Sequence, residues 1–240
     1  MDEQRGDRGT SICDTIVDIV KGYALFCARD AFYLARKRGA NLRFRQVAWS
    51  LRYLCDTRRA MRIFYHRSRN VYSITKSASE AKIIIAKMER SILDAVQKAE
   101  FTFSGGLTGL GSSLAVARSA TFLILSRMWE QGLVLRAPAI SYRGRSFNFY
   151  FAPEKKGLLE KRLSQLLDYL ENNKTALPSK AAQDLGLDHD AVGCLLGHLS
   201  YLGQVNQIIS LPGRPFSLPG YSTYVSRTLD SIGKSGHSHA

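Results

Sequence analysis

The sequence predicts a mainly helical chain with small β-hairpins, built from tandem units of about 70 residues. Three observations carry that prediction. Apolar residues recur at three- and four-residue spacing over long stretches, the mark of amphipathic helices. Short runs rich in β-formers follow these helices and are split by turn residues. A shift of 71 residues lays the last third of the chain on the middle third, with glycine and apolar positions in register. The chain has 240 residues, 45% of them hydrophobic, which is ample for packed cores.

Residues 10–75 form the first unit. Ile12, Ile16, Ile19, Tyr23 and Cys27 line one helical face. Leu34-Ala35-Arg36-Lys37-Arg38-Gly39 reads as a helix and its turn. Leu42 to Leu54 reads as a second helix with Val47, Leu51 and Leu54 inward and Trp49 in the core by its spacing. Met61–His66 and Arg69–Ile74 pair as a hairpin around Arg67–Asn70. The turn between the helices is about two residues longer than in the other units, and Asp56-Thr57-Arg58-Arg59 stands where they carry a glycine.

Residues 76–152 form the second unit. A Ser77-x-x-Glu80 capping box opens a helix that runs to about Lys98, with Ile85, Met88, Ile92 and Val96 inside. A short glycine-bearing helix precedes a second helix, Ala117 to Gln131. Trp129-Glu130-Gln131-Gly132-Leu133-Val134 then passes from helix to strand. The hairpin comprises Val134–Ile140 and Phe147–Phe151, with Ser141–Ser146 at its tip.

Residues 153–225 form the third unit. Leu159, Leu163, Leu166, Leu167 and Leu170 share a helix that Asn172, Asn173 and Pro178 end. A short helix starts at Ser179 as N-cap and stops at Gly186; a second runs from Asp188 to Leu202 and stops at Gly203. Val205, Gln207 and Ile209 alternate as a strand, the segment Leu211–Pro215 turns, and Phe216–Leu218 returns. Residues 226–240 read as a flexible tail. The 71-residue shift places Ala182 on Gly111, Gly186 on Ala115, Leu196 on Leu125 and Gly203 on Gly132.

Two steeply crossing helices need a small residue at their contact and a turn residue tolerant of positive φ. Ala182, Gly186, Val192, Leu196 and Leu199 meet those needs. With the following hairpin, this pattern resembles the winged-helix superfamily. The resemblance implies tandem winged-helix domains, two clear copies and a looser first one, in a double-stranded DNA-binding protein such as a transcription regulator or a replication or chromosome-organising factor.

The charge agrees with a polyanionic partner. Lys and Arg number 34 against 20 acids, a net charge of +14. Residues 1–75 carry +8, 76–152 carry +5 and 153–240 only +1. Within 29–69 there are 12 basic residues against Asp30 and Asp56. The first unit offers Arg36, Lys37, Arg38, Arg43, Arg45, Gln46, Arg52, Arg58, Arg59, Arg62, Arg67 and Arg69 to base edges and phosphates. The second offers Arg118, Ser119 and Arg127 on its second helix and Tyr142, Arg143 and Arg145 at the hairpin tip. The third has no Arg or Lys on its second helix. It is expected to contact a second copy or a protein partner through Leu187, Leu195 and Tyr201. His198 reads as a partly buried packing residue.

No apolar run is long enough to span a membrane, and the polar N-terminus is no signal peptide. Cys13, Cys27, Cys55 and Cys194 read as buried thiols in a reducing compartment, so a cytoplasmic, nucleoid-associated or nuclear location is expected. The glycines of 105–111 lack the Lys and Ser/Thr of a phosphate loop, and no catalytic constellation, metal set or cofactor site is evident. Two other readings compete: a protein-interaction scaffold, and an RNA- or ribosome-binding protein using Trp49, Tyr53, Tyr65 and Tyr72 as stacking surfaces.

Overall fold

The computed structural model describes residues 3–141, 144–207 and 216–218. It is mainly helical, with three small antiparallel sheets of three strands each. The elements are α1 (Glu3–Val20), β1 (Phe26–Cys27), α2 (Ala28–Lys37), α3 (Phe44–Asp56), β2 (Met61–His66), β3 (Arg69–Ser73), α4 (Ala78–Lys98), β4 (Thr102–Phe103) and α5 (Ser104–Gly109). A 3-10 turn (Leu110–Leu114) leads to α6 (Arg118–Glu130), β5 (Leu135–Ile140) and β6 (Ser146–Phe151). Then come α7 (Lys156–Asn173), β7 (Thr175–Ala176), α8 (Pro178–Leu185), α9 (His189–Tyr201), β8 (Asn206–Gln207) and β9 (Phe216–Ser217). The strand beyond Gln207, the turn at 211–215 and the tail at 226–240 lie outside the described residues.

One order recurs three times: long helix, two-residue strand, short helix, second helix, hairpin. Each sheet sets the early two-residue strand beside the hairpin's return strand: β1-β3-β2, β4-β6-β5 and β7-β9-β8. Two residues are too few for a period-2 pattern, so β1, β4 and β7 leave no signal in the sequence.

The repetition extends to single hydrogen bonds. After each short helix, an amide donates to the carbonyl five residues back: Ala40 to Ala35 (3.0 Å), Val116 to Gly111 (2.8 Å) and Leu187 to Ala182 (2.9 Å). The residue before each donor is left-handed, namely Gly39 (φ +79°), Ala115 (φ +53°) and Gly186 (φ +62°). After each second helix, Arg58 (φ +58°), Gly132 (φ +73°) and Gly203 (φ +73°) are left-handed too. The two left-handed points lie 19 residues apart in the first copy and 17 in the others, which places the two-residue insertion between α2 and α3. Arg58 thus does what glycine does elsewhere.

Some local expectations shift. The α8 helix begins with Pro178 as its first residue rather than with Ser179 as cap, because the fixed φ of proline suits that position. Cys27 lies in β1, beyond the end of α1. The Ser77 box forms: the Ser77 amide donates to Glu80 Oε2 (2.9 Å) and the Glu80 amide to Ser77 Oγ (3.3 Å).

The chain divides into two compact units. One comprises residues up to Asp94 with Gly105–Gly132; the other comprises Ala95–Ser104 with residues from Leu133 on. The core of the first gathers Ile16, Ile19 and Val20 of α1, Phe26, Ala31 and Ala35, Val47, Leu51 and Leu54 of α3, and Tyr72. The core of the second joins Phe101, just before β4, and Phe149 and Phe151 of β6 to Leu166 and Leu170 of α7 and Leu195, Leu196 and Leu199 of α9. In that second unit Lys155 Nζ donates to the carbonyls of Val96, Gln97 and Ala99 at 2.9, 2.7 and 2.5 Å, closing the C-terminal turn of α4.

Candidate nucleic-acid interface

The α3 helix is sharply two-faced. Val47, Ser50, Leu51 and Leu54 are fully buried, which turns Arg45, Trp49, Arg52 and Tyr53 outward at helical spacing. Gln46 Oε1 accepts the Arg43 amide at 2.8 Å and caps the helix, leaving its amide nitrogen as a donor. Trp49 is not a core residue: it is 57% exposed and stacks on Tyr53, itself 40% exposed, with ring centroids 5.8 Å apart and planes 17° from parallel. Ser50, not Trp49, fills the inward position on that turn. Arg43, Arg45 and Trp49 also rim an open cleft of about 720 Å³ beside α1.

Arg43, Arg45, Arg52, Arg58, Arg62, Arg69 and Lys37 are exposed and form no ion pair with any described residue. No acid lies between Arg43 and Cys55. Arg36 rests over the Phe32 ring, 5.8 Å from its centroid. Arg38 pairs with Asp18 (3.3 Å) and Arg59 with Asp14 (2.6 Å), both at the surface. Exposed pairs of this kind are weakened by solvent screening and hold neither arginine firmly. Arg67 is held more firmly, by Glu130 (2.5 Å) and by the Trp129 ring at 5.1 Å. It starts the two-residue hairpin turn with Ser68, both at positive φ (+48° and +60°).

The second helix of the middle copy is differently placed. Asp30 of α2 is buried, and its carboxylate accepts the amides of Cys27 (3.0 Å), Ser119 (2.8 Å) and Ala120 (3.2 Å). The amino end of α6 is therefore occupied by a side chain from 89 residues earlier. Arg118 is exposed, Ser119 is half-buried, and Arg127 is half-buried, paired with Glu89 and 4.9 Å from the centroid of the Phe64 ring. Arg145 is exposed on the second hairpin beside Gly144 (φ +68°), while Tyr142 and Arg143 lie outside the described residues.

In the last third, Leu195 is fully buried and Leu187 packs partly buried against the same core. Tyr201 is half exposed beside the equally exposed Leu202. The surface around Leu195 is covered by the unit itself. The α9 helix lies on β5 so closely that a Cβ on Gly197 would come 2.9 Å from the Ile140 carbonyl oxygen. His198 Nδ1 donates to the Pro138 carbonyl at 2.6 Å and its ring meets Phe149 edge-on. Asp188 caps α9 by accepting the amides of Asp190 and Ala191.

Sequence reasoning missed Asp30, although a lone acid in so basic a stretch was its signal, and it misplaced Trp49. All four cysteines are free thiols. Among the described residues, no group of three or more His, Cys, Asp or Glu side chains is placed to hold a metal ion, and no helix is long and apolar enough to cross a membrane. No protein-family model matches the sequence, and no curated protein matches it either.

Proposed function

We propose that this chain is a duplex-DNA-binding protein built of tandem winged-helix units, with α3 as its reading helix and the β2–β3 hairpin as the adjoining wing. The carrying observation is the outer face of α3. Arg43, Arg45 and Arg52 are exposed and unpaired among the described residues, Gln46 stands with them, and no acid interrupts the face. Arginine and glutamine present the donor patterns that read guanine and adenine in the major groove. Arg58, Arg62 and Arg69 flank the helix as phosphate contacts that fix register. The threefold element order and hydrogen-bond pattern support the winged-helix reading of the units.

Salt dependence tests this reading. About six neutralised phosphates give a slope of log K against log salt near −5. A slope near zero, or no duplex binding at low salt, overturns it. A second reading, single-stranded nucleic acid, is favoured by the exposed Trp49–Tyr53 stack, a platform on which bases lie. Tighter binding of a single strand than of its duplex selects it. In the last third, Tyr201 and Leu202 support a role in contacting a second copy or a protein partner.

A further inference from the structure

A second concavity lies on the wing side of α3, within the first unit. Its volume is about 530 Å³, the size of sites that take one small planar ligand. Cys27 and the buried Tyr72 lie at its base, on β1 and β3. Phe32 and Tyr33 form the α2 wall, Phe44 stands on the α3 wall, and Arg69 and Asn70 belong to the hairpin. The aromatic lining is unusually open: Tyr33 is 53% and Phe44 49% exposed. Phe32 fixes both, meeting Phe44 edge-on with centroids 5.7 Å apart and Tyr33 at 5.8 Å.

Three features define what fits there. The aromatic rings offer apolar faces to a planar ring. The charged lining is purely cationic: Arg29, whose guanidinium sits 5.5 Å from the Tyr33 centroid, and Arg69. Asp30, the nearest acid along the chain, is absent from the lining and spends its carboxylate on three backbone amides. The Asn70 side-chain amide and the Tyr72 hydroxyl bond to each other (3.2 Å) and hold the hairpin wall in place. The Cys27 thiol is pushed up to about 11 by its burial and by the Asp30 carboxylate, so it stays neutral at physiological pH. A ligand with a planar ring and an attached anion meets these demands, and a nucleotide within a strand has both.

We propose that the cleft between α2, α3 and the β2–β3 hairpin receives one unpaired nucleobase, stacked on Phe44 and Tyr33, with its phosphate at Arg29 and Arg69. The inference rests on the nucleic-acid reading above and deepens it, since α3 then serves a groove on one face and an extruded base on another.

The test uses the full chain and three short duplexes of one sequence: fully paired, with one extra unpaired adenine, and with an abasic residue in place of that adenine. Stacking is worth about 1–3 kcal/mol per base, so the adenine bulge binds about tenfold tighter than the paired duplex, and the abasic bulge does not. Phe44→Ala and Tyr33→Ala each bring the ratio of bulged to paired affinity down to about one. Both side chains are half exposed, and far-UV circular dichroism checks that both variants fold. Equal affinity for adenine and abasic bulges, or an unchanged ratio in both variants, overturns the base site. Binding of duplex without preference for the bulge overturns this inference alone. Absence of binding to any of the three overturns the duplex reading beneath it.

Discussion

The α3 and α6 helices hold the same place in their repeats, and both have 13 residues, yet one turns a broad face to solvent and the other buries most of its surface. α3 buries a single stripe and turns arginines and aromatics outward. α6 buries Ala120, Thr121, Leu123, Ile124, Leu125, Ser126 and Met128, which cover most of its circumference and leave a narrow strip at Arg118 and Phe122 exposed, and it has Asp30 on its first amides. Position in a repeat therefore does not decide what a second helix does. The outer face decides: where it is charged the helix stays open to solvent, and where it is largely apolar the chain covers it with itself. α9 repeats the lesson on β5, burying Ala191, Cys194 and Leu195 along with its expected inner face.

The largest effect that can break this contrast lies at Asp30. Hydrogen bonds to charged groups are worth about 1.5–3 kcal/mol each, and this buried carboxylate accepts three. Asp30→Ala should lower the stability of the first unit by about 4 kcal/mol, read as a fall in the urea midpoint, and Asp30→Asn should lose about half as much. A loss below about 1 kcal/mol for the alanine variant would mean that the α6 end is held by packing alone.

On the open helix the expected effect falls on binding instead. Reversing Arg43 and Arg45 together to glutamate should weaken duplex affinity about 100-fold at low salt, equivalent to about 2.7 kcal/mol, without lowering the urea midpoint, because neither side chain is paired among the described residues and carboxylates suit the amino end of a helix. Lys156 and Lys180, both exposed, are the matched control. Lys155 is unsuitable, since it closes the end of α4. Equal losses in the two double variants would remove α3 from the interface.

Much of this contrast is legible in the sequence. The apolar run Ala120–Leu125 within Ala117–Gln131 leaves the middle helix without a broad polar face, and a helix of that kind is mostly buried. Judged only against the length of a membrane span, that run says nothing of its partner. The inward set Val47, Leu51 and Leu54 turns Trp49 outward with Arg45 and Arg52 once the whole helix is drawn, whereas spacing judged at Trp49 alone places it in the core. Other features were not readable. The amides that Asp30 caps are 89 and 90 residues away, beyond any local pattern. Arg58 adopts the left-handed turn that glycine marks in the other copies, and arginine carries no signal for it.

Close packing under α6 gives the next effect. Gly111 is buried where the short helix passes α6, and a Cβ there would stand 2.3 Å from Thr121 Oγ1 and 2.6 Å from the Val116 carbonyl oxygen. The second contact is with backbone, so the two segments must separate. Gly111→Ala should cost about 2 kcal/mol. Ala35 at the equivalent point under α3 already holds a methyl group. An insignificant change at Gly111 would mean that α6 is less tightly seated than α3, reversing the comparison.

The smallest effect tests whether the copies are geometrically equivalent. Ala115 and Gly186 sit at the same turn with nearly the same dihedrals, φ +53°, ψ +34° and φ +62°, ψ +36°. A Cβ in this region costs about 1–2 kcal/mol, partly offset by the greater freedom that glycine has when unfolded. Gly186→Ala should therefore destabilise by about 1 kcal/mol, with nothing within 4 Å of the added methyl to complicate it. Ala115→Gly should stabilise by about 0.5 kcal/mol. Opposite signs in paired urea melts would establish that the two turns are one structural element carrying different residues. A loss in Ala115→Gly would instead show that the half-buried methyl of Ala115 contributes packing that Gly186 never supplied, and that the middle copy has traded backbone comfort for contacts with its neighbours.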